Sequence, residues 1–274
     1  MNKLLSALLA AAFLSTAALA QSSGDGVNVG KASSWSKLVP AEQVERSASQ
    51  QYLQMTQQAA QQGALAPEGH PQLQRLRAIA QRILPNASRF NPRAQNWKWE
   101  VNLIASRQLN AFCMPGGKIA FYTGLIDGLK LTDDEIAIVM GHEVAHALRE
   151  HSRAQMAKNG FTHGTASILS GLVANTKYGG LAQLGLKEGA NLLTLKFSRD
   201  DETEADAVGL DLAARAGYDP RAGVTLWQKM TGANRGSAPP AWLSTHPPGN
   251  DRIREIQRHL PEVMPLYEAS RGNR

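Results

Sequence analysis

The sequence predicts an α+β domain, mainly helical, with a small antiparallel sheet next to one central helix. Three observations lead there. Apolar residues recur at helical spacing through much of the chain, a stretch from Trp97 switches to a period of two, and a helix with clear start signals follows that stretch at Thr132.

The elements follow in order. Pro40 opens a helical stretch to about Gln62, with Gly63 as its stop. A second helix is predicted from Pro71 to Leu84, where Leu73, Leu76, Ala80 and Ile83 mark one face and Pro85 ends it. Trp97, Trp99, Val101 and Leu103 then alternate with Lys98, Glu100 and Asn102, as in a strand with one buried face. Asn110 to Met114 and Lys118 to Thr123 flank Pro115-Gly116-Gly117, which reads as a hairpin turn. A further helix is expected from Thr165 to Ala174. Ser198 can cap the next, which stops at Gly217 before Asp219-Pro220 begins another. A loop over 232–240 leads to Thr245-His246-Pro247-Pro248 and a last helix from about Asn250 to Leu260.

At the start, Lys3 heads an apolar run from Leu4 to Ala17, and Ala18-Leu19-Ala20 fits a small-x-small cleavage site. The expected organisation is a signal peptide over 1–20, a flexible polar leader over 21–39 and one domain over 40–274, with export to a bacterial periplasm. No cysteine stands at the cleavage site, and no later stretch reaches the apolar length of a membrane span, so the mature chain is expected to be soluble. The net charge of +6 becomes +5 when Lys3 leaves. It is scattered and not gathered into a stripe, which argues against nucleic-acid binding and leaves room for peripheral association with envelope membranes. Cys113 is the single cysteine, so no intrachain disulfide can form.

The chemistry gathers in the central helix. Thr132 and Glu135 form a capping box, Asp133 and Asp134 add negative charge to the first turn, and Ile136, Val139, Met140, Val144 and Ala147 seat the helix in a core. On it, His142-Glu143-Val144-Ala145-His146 puts two imidazoles four apart on one face, where both reach one metal ion. Glu143 projects beside that face, placed to take a proton from activated water. Downstream, Glu202 and Asp206 are also four apart in a helical pattern, so a carboxylate ligand and a supporting carboxylate share a face. His151, five residues beyond His146, reads as a charge at the helix end and off the ligand face.

These motifs, with Asn110-Ala111-Phe112 leading to Gly117, Phe197-Ser198-Arg199, and His246-Pro247-Pro248 followed by Arg252, resemble the HtpX-like and CAAX-prenyl-protease-like gluzincin peptidases over roughly Ile79 to Leu260. The resemblance implies a zincin-like helical core and one Zn2+ per chain held by His142, His146 and Glu202. It also implies Glu143 as general base, Asp206 as the carboxylate that orients a ligand histidine, and substrate contacts from Asn110, Ala111 and Phe112. His246 is implied either as a fourth zinc ligand that closes the site or as a group that binds the developing oxyanion, with Arg252 near enough to help. The chain lacks the membrane helices of the better-known relatives, which leaves a periplasmic endopeptidase acting on misfolded or unassembled envelope proteins. The competing class is a periplasmic chaperone or assembly factor with a latent or structural zinc site, and a hydrolase of non-peptide amides is a third. A structural zinc more often has four closed, cysteine-rich ligands.

Overall fold

The computed structural model describes residues 26–162, 192–233, 241–246 and 251–272. The expected signal segment at 1–20 and the expected helix at 165–174 lie outside them.

Helix α1 (Ala41–Gln61) turns Val44, Ala48, Tyr52, Thr56 and Ala59 inward at near-four spacing. It docks on the sheet through Tyr52, whose hydroxyl donates to the Ile119 carbonyl at 2.5 Å and accepts from the Asn102 amide at 3.0 Å. Helix α2 (Pro71–Ile83) is capped by His70 and buries Leu73, Leu76, Ile79, Ala80 and Ile83.

The sheet is mixed, where an antiparallel one was expected. Strands β1 (Glu100–Ile104), β2 (Ala111–Met114) and β3 (Lys118–Tyr122) lie in the order β1-β3-β2. The chain reverses twice between β1 and β3, so these two run parallel, with Val101 opposite Ile119. The hairpin pair β2-β3 is antiparallel, with Ala111 opposite Phe121. Gly116 and Gly117 both take left-handed φ, at 85° and 82°, and a Cβ on Gly117 would stand 2.7 Å from the Trp99 ring. Trp97 and Trp99 precede β1 and pack ring to ring, with centroids 5.3 Å apart. Among the described residues, strand β2 pairs on one side only, at the edge of the sheet next to the metal helix.

A short helix α3 (Thr123–Gly128) leads to α4 (Asp133–Leu148). Both capping-box bonds are made: the Glu135 N–H donates to Thr132 Oγ1 at 3.3 Å, and the Thr132 N–H to Glu135 Oε2 at 2.9 Å. Every residue of α4 from Glu135 to Leu148 is buried, so this helix is the axis of the core. Glu150 then takes φ 59°, and α5 (His151–Thr162) starts in a new direction. Helix α6 (Arg199–Arg215) is capped by the Ser198–Asp201 box. Helices α7 (Ala222–Ala233), α8 (Trp242–Thr245) and α9 (Arg252–Gly272) complete the described chain. Helix α9 runs past Leu260, the expected end, through Pro261 and Pro265. Each proline forfeits one N–H bond, and the buried Val263 and Leu266 hold the helix to the core across that loss.

Residues 26–38, expected as part of a flexible leader, instead form a strap on the body. The Val27 N–H donates to buried Asp211 at 3.0 Å, Arg149 donates to the Gly30 carbonyl at 3.1 Å, and a 3-10 turn at Ser34–Leu38 receives Arg153 at the Ser36 carbonyl, 2.6 Å away. Asp211, Arg149 and Arg153 all bond to backbone groups of the strap, which ties it down. Among the described residues no helix is long and apolar enough to cross a membrane.

Candidate metal centre

Helices α4 and α6 cross where Gly141 meets Gly209. A Cβ on Gly209 would lie 2.7 Å from the His142 backbone nitrogen, and one on Gly141 would lie 2.6 Å from the Gly209 carbonyl. Only glycine at both positions lets the two backbones approach this closely. The crossing carries His142 and His146 from one helix toward Glu202 and Asp206 from the other. The third contributor is α8, which ends at His246.

One ligand atom from each of His142, His146, Glu202 and His246 lies within 4.8 Å of all the others, and all four residues are buried. His142 Nε2 stands 3.0 Å from His146 Nε2 and 3.3 Å from His246 Nδ1. Glu202 Oε1 is 3.0 Å from His246 Nδ1 and 3.4 Å from His146 Nε2, and its Oε2 is 3.6 Å from His142 Nε2. Four donors around zinc at bonds near 2.05 Å would stand roughly 3.3 Å apart along the edges of a tetrahedron. These separations bracket that value, and three imidazoles and a carboxylate are donors that zinc accepts, so the residues fit the ion.

The candidate ligands are held from behind. Asp206 Oδ1 lies 3.0 Å from His142 Nδ1, so the proton of this ring sits on Nδ1 and the Nε2 lone pair faces inward. Arg252 donates from Nε and, at 2.7 Å, from one terminal nitrogen to Asp206, and from the other to Glu202 Oε2 at 2.5 Å. Its guanidinium also covers the Trp227 ring at 4.3 Å. Burial alone would raise the Asp206 carboxyl, but Arg252 and His142 outweigh it and lower it to about 2. Glu202 is lowered in the same way, with burial opposed by His246, His142 and Arg252. His146 is pushed well below the ordinary histidine range, first by burial and then by the neighbouring imidazoles, as suits a neutral ligand. His246 goes the other way, because Glu143 and Glu202 outweigh the burial. Phe197 stacks on His146 with centroids 4.0 Å apart.

Glu143 sits beside the donors with its own support. The Trp242 indole donates to Glu143 Oε1 at 2.5 Å, and His246 Nε2 lies 3.6 Å from the same oxygen. A cleft opens here, lined by Asn110, Ala111 and Phe112 on the β2 side, by Glu143, His146 and His246 at its base, and by Leu192, Leu195 and Phe197 opposite. Cys113 borders it as a buried thiol whose pKa is raised by burial.

The structure therefore brings together His142, Glu143, His146, Glu202, Asp206 and His246, with Asn110, Ala111 and Phe112 along the same cleft. Arg252 is placed differently from the expectation. It is buried and donates to Asp206 and Glu202, so it braces the carboxylates around the donor cluster. His151, read as a charge at a helix end, is 1% exposed and lies 2.9 Å from His146 of the donor cluster. Trp242 was not anticipated, although it stands four residues before His246 on the same turn. Glu204, two residues beyond Glu202 on α6, was not anticipated either.

A family model described as peptidase family M48 matches residues 70–260. The mitochondrial metalloendopeptidase OMA1 of Schizosaccharomyces pombe is 35% identical over 209 residues, which cover 75% of this chain and 58% of that protein. The protein of the same name from Arabidopsis thaliana is 37% identical over 178 residues, 64% of this chain and 35% of that one. A beta-barrel assembly-enhancing protease of Yersinia pestis is 28% identical over 207 residues, 72% of this chain and 40% of that one. The chain thus spans about a third to three fifths of the length of these relatives. With the match covering the metal helix, the acidic helix and the segment that bears His246, the chain belongs to peptidase family M48.

Proposed function

We propose that this protein is a zinc-dependent endopeptidase of the bacterial periplasm that hydrolyses peptide bonds in misfolded or unassembled envelope proteins. The observation that carries the reading is the four-donor cluster of His142, His146, Glu202 and His246 with Glu143 beside it, its carboxylate aimed by Trp242. Export is supported by the basic head and apolar run before Ala20, and an envelope role by the likeness to an assembly-enhancing protease. The catalytic unit is the domain expected over residues 40–274 with the strap of residues 26–38 packed on it.

Zinc held by His142, His146 and Glu202 would supply Lewis-acid polarisation of a peptide carbonyl and acidification of water. The chain's own residues do the rest. Glu143 accepts the proton from the attacking water and hands it to the amine as the peptide breaks. The Trp242 N–H fixes one carboxylate oxygen and leaves the other for that exchange. Asp206 and Arg252 hold His142 and Glu202 in place. The edge of β2 at Ala111 and Phe112, unpaired among the described residues and with Asn110 at its start, receives an extended substrate as an added strand.

A second reading, a chaperone or assembly factor with a latent zinc site, takes its support from His246, whose Nδ1 stands among the donors where a fourth ligand would close the site. One comparison separates the two: unfolded casein is offered to the full mature chain and to Glu143→Gln, with zinc measured on both. Cleavage by the wild type and a fall of at least about 1000-fold in the variant at equal zinc is expected, because the amide keeps the shape but accepts no proton. Equal turnover in the two would defeat the mechanism. Zinc without cleavage in either would favour the latent site.

A further inference from the structure

The two histidine ligands on α4 are supported unequally. His142 has its outer nitrogen on a carboxylate directly, Asp206 Oδ1 at 3.0 Å. His146 has its outer nitrogen on another imidazole, His151 Nδ1 at 2.9 Å, and the far nitrogen of His151 reaches Glu204 Oε2, also at 2.9 Å. Glu204 is itself aimed by Arg149, which donates from Nε to Glu204 Oε1 at 2.7 Å. His151 and Arg149 are buried, at 1% and 5% exposure.

The proton positions along this row follow from chemistry. His146 Nε2 faces the other donors and must offer a lone pair there, so the proton of His146 sits on Nδ1 and donates to His151 Nδ1. His151 then carries its proton on Nε2 and donates it to Glu204. A single pattern satisfies every polar atom, and it ends on a carboxylate, as the His142 row does.

We propose that His151 is a positioning residue of the metal site, which with Glu204 does for His146, across one added ring, what Asp206 does for His142. This rests on His146 being a zinc ligand. The local fold explains why a residue five beyond a ligand can serve it. A continuous helix would turn position 151 away from 146, but α4 ends at Leu148 and the left-handed Glu150 brings the start of α5 back beneath the site.

The test uses the full mature chain and measures zinc affinity by chelator competition, together with unfolding in the zinc-free and zinc-loaded forms. His151→Leu removes the acceptor for the His146 proton, and zinc affinity is expected to fall by about 10- to 100-fold. His151→Asn can place an amide oxygen near the Nδ1 position and is expected to recover most of that loss. Glu204→Gln keeps an acceptor without the charge and is expected to fall between the wild type and the leucine variant. A residue that only packs would lower the stability of both forms equally, whereas a positioning residue lowers the zinc-loaded form more. Wild-type affinity in His151→Leu, or equal losses in both forms, overturns the proposal while leaving the zinc reading intact. Absence of zinc binding in the wild type overturns both. Should the leucine variant fail to fold, the asparagine and Glu204→Gln variants decide on the same two readouts.

Discussion

Three of the four donors stand on ground quite different from the fourth. His142, His146 and Glu202 sit on two long buried helices that touch backbone to backbone at Gly141 and Gly209. His246 ends a four-residue helix, tied at its start by the Trp242 N–H to the Leu109 carbonyl at 3.1 Å and near its end by the Phe197 N–H to the Thr245 carbonyl at 3.2 Å. The helix crossing sets three donors by the packing of the core, which moves only if the core moves. The fourth depends on a few local bonds and can be altered alone.

The strongest way to break that contrast is to attack the crossing. Gly209→Ala adds a methyl 2.7 Å from the His142 nitrogen and 3.0 Å from the Gly141 carbonyl carbon, backbone atoms that cannot rotate away. The expected cost is about 2–3 kcal/mol of folding stability, more than the helix propensity gained, with zinc affinity falling alongside. Urea unfolding and metal titration check both. A variant with unchanged stability and unchanged affinity would show that the helices have room to part.

The contrast is sharpened at His246. His246→Ala is expected to keep stoichiometric zinc on the remaining three ligands, whereas His142→Ala loses it. If His246 closes the site, turnover on casein rises severalfold in the alanine variant; loss of turnover at full zinc would assign His246 to the transition state instead.

The smallest effect concerns how α4 is seated. Glu135 is lowered from the ordinary carboxylate range: burial opposes ionisation, but Lys229 at 2.6 Å, the Thr132 N–H and the Thr225 hydroxyl outweigh it. A carboxyl depressed in the folded state stabilises fully above its unfolded pKa of about 4.3, and that contribution is lost as pH falls through the lower folded value. Glu135→Gln should therefore unfold at lower urea than the wild type near about pH 7, and the gap should close toward about pH 3. A gap that persists in acid would place the effect in packing.

What the sequence disclosed was what depends on near neighbours. The capping box at Thr132, the i, i+4 pairs His142–His146 and Glu202–Asp206, and the hairpin around Gly116-Gly117 are all local, and each is where the pattern put it. The parallel pairing of β1 with β3 follows from the order of the strands in the sheet, and alternation alone carries no such information. Helix α9 passes Pro261 because Val263 and Leu266 are buried, a tertiary reason that overrides a local stop signal. His151 escaped because its place depends on one backbone angle at Glu150, a residue type that does not announce a left-handed turn. Arg252 was seen, but its direction was decided by the two carboxylates packed beside it.

The strap of residues 26–38 sets a limit on how far the chain can be shortened from its front. Removing residues 1–20 takes away none of the strap's own residues. A cut that takes away Val27 and Gly30 strips one hydrogen bond from buried Asp211 and frees Arg149 from the Val29 and Gly30 carbonyls, with Glu204 left as its main partner. Glu204 also receives His151, so a deletion far from the cleft in sequence would be felt within two side chains of His146 in the donor cluster.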